Sequence, residues 1–187
     1  MMYLSKGIVC DGSTEQLLKI AHGGYEYDLH GREAALWLEG RFGMAITTSA
    51  ADESFLGHLQ RMGLVECESE ENAVARYRIL VNCVLCPAKR RRIRFPLSNL
   101  EQRVMTWLTK AGLRLSTAEL VYLVDRDVRP CEKLLYTTNR QALVERIYTV
   151  DTISDNVLET QMEAAHRRDD TVQALLQLIK KKRIVVL

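Results

Sequence analysis

The chain has 187 residues, of which 47% are apolar and 27% charged, which suits one large or two small globular domains. No apolar run approaches the ~18 residues of a membrane span. The first ten residues hold one lysine and no long apolar stretch, so no secretory signal is expected and the cytoplasm is the default location. Net charge is +2, but residues 1–88 carry 7 Lys+Arg against 12 Asp+Glu, whereas residues 89–187 carry 19 against 12. That asymmetry fits either a polyanion contact or a solvated basic linker.

In chain order, Ile8-Val9-Cys10 reads as an edge strand. Asp11-Gly12-Ser13 reads as a turn in which Ser13 or Thr14 caps a helix through Ala21, ended by Gly23-Gly24. Tyr25 to Leu29 alternates apolar and polar residues, the pattern of a brief strand. His30 to Phe42 is a second helix with Ala34, Ala35, Trp37, Leu38 and Phe42 on its apolar stripe, stopped by Gly43. Met44 to Thr48 is a turn or short strand. Ser49 caps a third helix, Ala50 to Met62, with Phe55, Leu56, Leu59 and Met62 on one face and Gly63 at the stop. Leu64 to Cys67 and Val74 to Asn82 are expected to form a hairpin, with the acidic turn Ser69 to Asn72 at its tip.

This succession over residues 13–85 resembles the winged-helix superfamily, loosely the bacterial MarR-like and PadR-like regulators. The expected fold is therefore mainly α (α+β). It comprises a winged-helix domain over 1–87, a basic linker over 88–96, and a helical C-terminal domain over 97–187. In that last part Ser98 and Ser116 offer caps, Gly112 a stop, and Asn139 and Asp151 two further helix starts. Asp169-Asp170 and Lys180 to Arg183 suit the two ends of a final helix over Thr171 to Lys182. Trp37 followed by Gly43 is echoed by Trp107 followed by Gly112. The echo leaves a second, divergent winged helix open beside a plain helical dimerisation domain. The apolar tail Ile184 to Leu187 is expected to add a strand to a sheet, with Ile8-Val9-Cys10 a candidate partner, or to pack on a partner chain.

The chain lacks the usual marks of an enzyme. His22, His30, His58 and His166 form no HExxH set, and no GxGxxG, GxxxxGK[ST] or GxSxG motif occurs. Five cysteines include one lone CxxC, Cys83 to Cys86. A structural zinc site usually needs two such pairs, so no metal and no cofactor are expected.

The resemblance implies a DNA-binding transcriptional regulator, a homodimer on double-stranded DNA. Thr48, Ser49, Ser54, His58 and Arg61 would face bases or phosphates from the third helix. Arg90, Arg91, Arg92 and Arg94 of the basic run would contact the backbone. Opposing this, Asp52 and Glu53 lie at the helix start, and Glu66, Glu68, Glu70 and Glu71 lie around the expected wing. Carboxylates there repel phosphates, so a protein-binding adaptor that meets a basic partner without touching DNA is the alternative.

Overall fold

The computed structural model describes residues 1–88, 96–111, 115–128, 130 and 166–187. Within them the chain is a mixed α/β structure of short antiparallel sheets and six α-helices. The order is β1 (Met2–Ser5), β2 (Ile8–Val9), β3 (Leu18–His22), β4 (Tyr25–Leu29), α1 (Gly31–Glu39), a 3-10 turn at Gly40–Phe42, β5 (Ala45–Ile46), α2 (Ala50–Arg61) and β6 (Val65–Glu68). Then follow α3 (Ala73–Val81), β7 (Leu85–Pro87), α4 (Asn99–Ala111), α5 (Thr117–Asp125), α6 (His166–Lys180) and β8 (Ile184–Val186). No helix among the described residues is long and apolar enough to cross a membrane.

Strand β1 organises the molecule. It is the middle strand of the sheet β5-β1-β6, antiparallel to both neighbours, and all four of its residues are buried. Because side chains alternate across a strand, Tyr3 enters one apolar cluster while Met2 and Leu4 enter another. The first cluster joins Tyr3 to Leu18, Ile20 and Leu29 of the β3–β4 hairpin, Trp37 of α1, and Leu56 and Leu59 of α2. The second joins Met2 and Leu4 to Ile79 and Leu80 of α3, Trp107 of α4, Leu120 of α5 and Leu178 of α6. Each buried tryptophan contributes roughly 4–6 kcal/mol of gross transfer free energy. Trp37 Nε1 donates to the Lys6 carbonyl at 3.0 Å, and Ser5 Oγ donates to the Trp37 carbonyl at 2.7 Å. These bonds tie α1 to the end of β1. Gly40 permits the close approach: a Cβ there would stand 2.6 Å from Ser5 Oγ and 2.8 Å from Tyr3 Cε2.

Four expectations need correction. Residues 14–21 form no helix. Ser13 Oγ instead accepts from the Lys19 N–H at 3.1 Å and donates to the Cys10 carbonyl at 3.0 Å, closing the β2–β3 turn. Gly23 (φ 59°) and Gly24 (φ 87°) are then the two left-handed residues of a hairpin loop rather than a helix stop.

The wing hairpin is also absent, because its expected return strand is α3, capped by the Asn72 side chain accepting from the Ala75 N–H at 2.8 Å. Tyr77, Ile79 and Val81 stand at alternating positions, the spacing of a strand. Helix α3 shows no clean helical period because Val74, Ala75, Tyr77, Ile79 and Leu80 are all buried, between the sheet and the C-terminal helices.

The last helix starts at His166 rather than Thr171, so Asp169 and Asp170 sit inside it. The apolar tail does form a strand, but β8 pairs with β7 in the register Leu85↔Val186 and Pro87↔Ile184. Its link to the β1–β2 region is the Gly7 N–H donating to the Val186 carbonyl at 2.8 Å.

The second apolar cluster runs across the expected boundary at 88–96, taking α3 and β7 together with α4, α5 and α6. Helices α4 and α5 start at the expected caps. The Glu101 N–H reaches Ser98 Oγ at 3.2 Å, and the Ser98 N–H reaches the Glu101 carboxylate at 2.7 Å. Ser116 and Glu119 form the same reciprocal box. The helices expected to start at Asn139 and Asp151 lie largely or wholly outside the described residues, as do Arg90, Arg91, Arg92 and Arg94.

Candidate interaction surface

The outward face of α2 carries the residues expected to meet DNA. Ser54, His58 and Arg61 are exposed and lie on one stripe, at the i, i+4, i+7 spacing of a helix. Thr48 and Ser49 are exposed just before the helix starts. Ser49 Oγ is occupied as the cap, accepting from the Asp52 N–H at 3.5 Å. His58 Nδ1 stands 2.7 Å from the Glu33 carboxylate of α1.

Behind this stripe, Arg32 forks onto Asp52. Nε meets Oδ1 at 2.8 Å, and a terminal nitrogen meets Oδ2 at 2.6 Å. Thr47 Oγ1 adds a bond to Asp52 Oδ2 at 3.2 Å. The Arg32 hydrogen bond, helped by Thr47, outweighs burial and holds the Asp52 carboxyl below its ordinary range. The same guanidinium reaches Glu39 at 3.2 Å, and Glu39 accepts from the buried Tyr3 hydroxyl at 3.3 Å. Burial and the Glu39 charge push the Tyr3 phenol up, so it stays a donor. The α1–α2 face is thus a latch of charges that satisfy one another.

A second surface lies on the β2-β3-β4 meander. Its inner face, Leu18, Ile20 and Leu29, is buried in the first cluster. Strand β4 is the outer strand and pairs with β3 alone, in the register His22↔Tyr25 through Leu18↔Leu29. In a two-residue hairpin loop the flanking residues exchange both hydrogen bonds. Tyr25, Tyr27 and Leu29 therefore bond to β3, while Glu26 and Asp28 turn their backbone N–H and C=O groups to the open side. No backbone bond from Glu26 or Asp28 to a residue outside the hairpin occurs among the described residues. Tyr25 is 70% exposed, and Glu26 and Asp28 are exposed beside it. Sequence reasoning recognised the strand but not its edge role. The signal was Gly23-Gly24 between two short apolar runs, a hairpin mark.

Among the described residues, Cys67, Cys83 and Cys86 are poor candidates for chemistry. Burial raises the Cys67 and Cys83 thiols to about 12, and burial also raises Cys86. Cys83 Sγ points at the Ile79 carbonyl, 3.0 Å away within its own chain segment. Neutral buried thiols are neither nucleophiles nor ready metal ligands. Among the described residues no cluster of three or more His, Cys, Asp or Glu side chains could hold a metal ion. No family model, no curated protein and no solved structure matches this chain.

Proposed function

We propose that this chain is a protein-interaction adaptor whose N-terminal half receives an extended, basic segment of a partner along the free edge of β4. The observation that carries this reading is the one-sided pairing of β4, which leaves outward backbone groups at Glu26 and Asp28 without a strand to bond. Such an edge recruits another strand unless it is covered. The exposed carboxylates favour lysine or arginine in that strand, and Tyr25, on the opposite face of β4, offers an aromatic surface to the apolar residues that alternate with them. The acidic balance of residues 1–88 acts in the same direction.

The test is titration with a short peptide of alternating lysine and valine, read by amide chemical shifts. The expected shifts concentrate on residues 25–29. Glu26→Pro removes one outward N–H at an edge where proline is tolerated, and it should weaken binding roughly tenfold. Shifts spread evenly over the surface, or unchanged affinity in that variant, would overturn the reading.

Direct DNA contact is the second reading, favoured by exposed Arg61 and by the sequence of the Lys89–Arg94 run. It requires binding to random duplex DNA that falls steeply with salt and that weakens in Arg61→Ala and in Arg90→Ala/Arg91→Ala/Arg92→Ala. DNA binding with those properties, and no peptide binding, would replace the adaptor by the DNA reader.

A further inference from the structure

A cleft of about 760 Å³ opens between the start of β2, the 3-10 turn and the paired strands β7 and β8. That volume lies in the range of small-molecule sites. Its walls are mostly apolar, and two of them, Ile8 at 48% and Phe42 at 36% exposure, are large side chains left open to solvent. The polar side of the cleft is cationic. Lys182 Nζ stands 4.3 Å from the centre of the Phe42 ring, and the Arg41 guanidinium stands 4.8 Å from the same centre. Among the described residues that line the cleft there is no aspartate or glutamate. The Lys182 ammonium, held over the Phe42 ring beside open apolar surface, forms an anion site with a greasy floor.

The backbone at Lys182 supplies an independent observation. Three helices end in the same pair of bonds, in which the residue after the last turn donates three back and the next donates five back. At α2 these are Gly63 to Gln60 and Leu64 to Leu59, and at α5 they are Asp127 to Val124 and Val128 to Leu123. At α6 they are Lys182 to Ile179 and Arg183 to Leu178. The first residue of each pair must be left-handed, with φ of 74° at Gly63, 55° at Asp127 and 57° at Lys182. Glycine adopts that conformation freely, whereas lysine is strained in it. Where α5 tolerates the strain, the side chain is used: Asp127 binds Arg103 at 2.6 Å. At α6 the strained side chain is the one that delivers an ammonium to the cleft.

We infer that this cleft binds a single-chain amphipathic carboxylate, with its head group on Lys182 and its apolar chain along Ile8, Phe42 and Val186. Charge complementarity selects the anionic head, and the uncovered apolar walls select the chain. The site is separate from the β4 edge and does not depend on what that edge binds.

Decanoate below its micellar concentration is the probe, with two controls: decanol, which lacks the charge, and acetate, which lacks the chain. Isothermal titration with amide shifts should show saturable decanoate binding centred on residues 8, 42, 182 and 186. Both controls should bind at least about tenfold more weakly. Lys182→Gln should lose most of the affinity with little change in Tm. Lys182→Gly should lose it while Tm rises by roughly 2 °C as the strain is relieved. Lys182→Arg should keep it. Equal binding of decanol, undiminished binding by Lys182→Gln, or no decanoate binding to the unaltered chain would each overturn the inference.

Discussion

Helix α2 and helix α6 each run into the same hydrogen-bonded stop and then into a strand, β6 or β8, yet the two stops are built from opposite residues. At the first, the left-handed position is Gly63 and the next residue is Leu64, fully buried in the cluster around Trp37. At the second, the same two positions are Lys182 and Arg183. The first stop is optimised for stability: an unstrained residue followed by an apolar one that packs back on its helix. The second keeps a strained cation at the mouth of an open cleft. Identical backbone geometry thus serves packing in one place and presentation of a charge in the other. Local stability and surface chemistry are set by different residues of the same motif.

The largest effects should come from the helix residues whose carbonyls close the two stops. Leu59→Ala and Leu178→Ala each empty a fully buried position, one in each apolar cluster. Each should cost about 2–5 kcal/mol in urea unfolding. If the two clusters fold as one unit through β1, both variants will shift a single transition. Two separable transitions would show instead that the faces of β1 are independent.

The stops themselves should respond with opposite sign. Gly63→Ala should destabilise by about 1–2 kcal/mol, because a Cβ there meets only the edge of the His22 ring at 3.7 Å and the cost is backbone strain. Lys182→Gly should stabilise by about 0.5–1 kcal/mol. Thermal melts of the two variants side by side check both. A loss in each would mean that the contact between Lys182 and Phe42 exceeds the strain.

The helix starts divide in the same manner. Ser116→Ala removes half of a reciprocal box and should cost about 1 kcal/mol, whereas Ser49→Ala, whose bond is 3.5 Å long, should cost less than half as much.

The smallest effects are those of pH. Burial, with Lys6 nearby, lowers the His22 pKa from 6.5, and its Nδ1 is buried without a hydrogen-bond partner. The folded state resists protonation there, so this contribution is complete above pH 6.5 and is lost as pH falls below it toward the folded value. His22→Gln should flatten the fall in Tm between neutral pH and that window. Asp52 acts lower on the scale. The Arg32 fork holds its pKa under 3.8, so stability is fully present above that pH and is lost as pH drops through the folded value. Asp52→Asn should remove that part of the acid transition.

The segments that could be read from the chain are those whose information is local. Ser49, Ser98 and Ser116 announce helix starts because the hydroxyl bond is made within one turn. Gly63 announces a stop because only glycine is unstrained at its φ. The exposed stripe Ser54, His58 and Arg61 followed from the period of α2. Its engagement by Glu33 and the latch at Asp52 did not, because both partners come from α1, about twenty residues away. Residues 18–22 and 73–81 were decided by what they pack against. Leu18 and Ile20 face the first cluster as alternate residues of a strand, and α3 is buried on nearly every side, which erases the periodicity that marks a helix. The partner of β8 and the cleft at Lys182 were likewise settled only in three dimensions. Capping and glycine stops depend on a few consecutive residues, whereas strand pairing, all-round burial and converging charges depend on neighbours that the fold alone brings near.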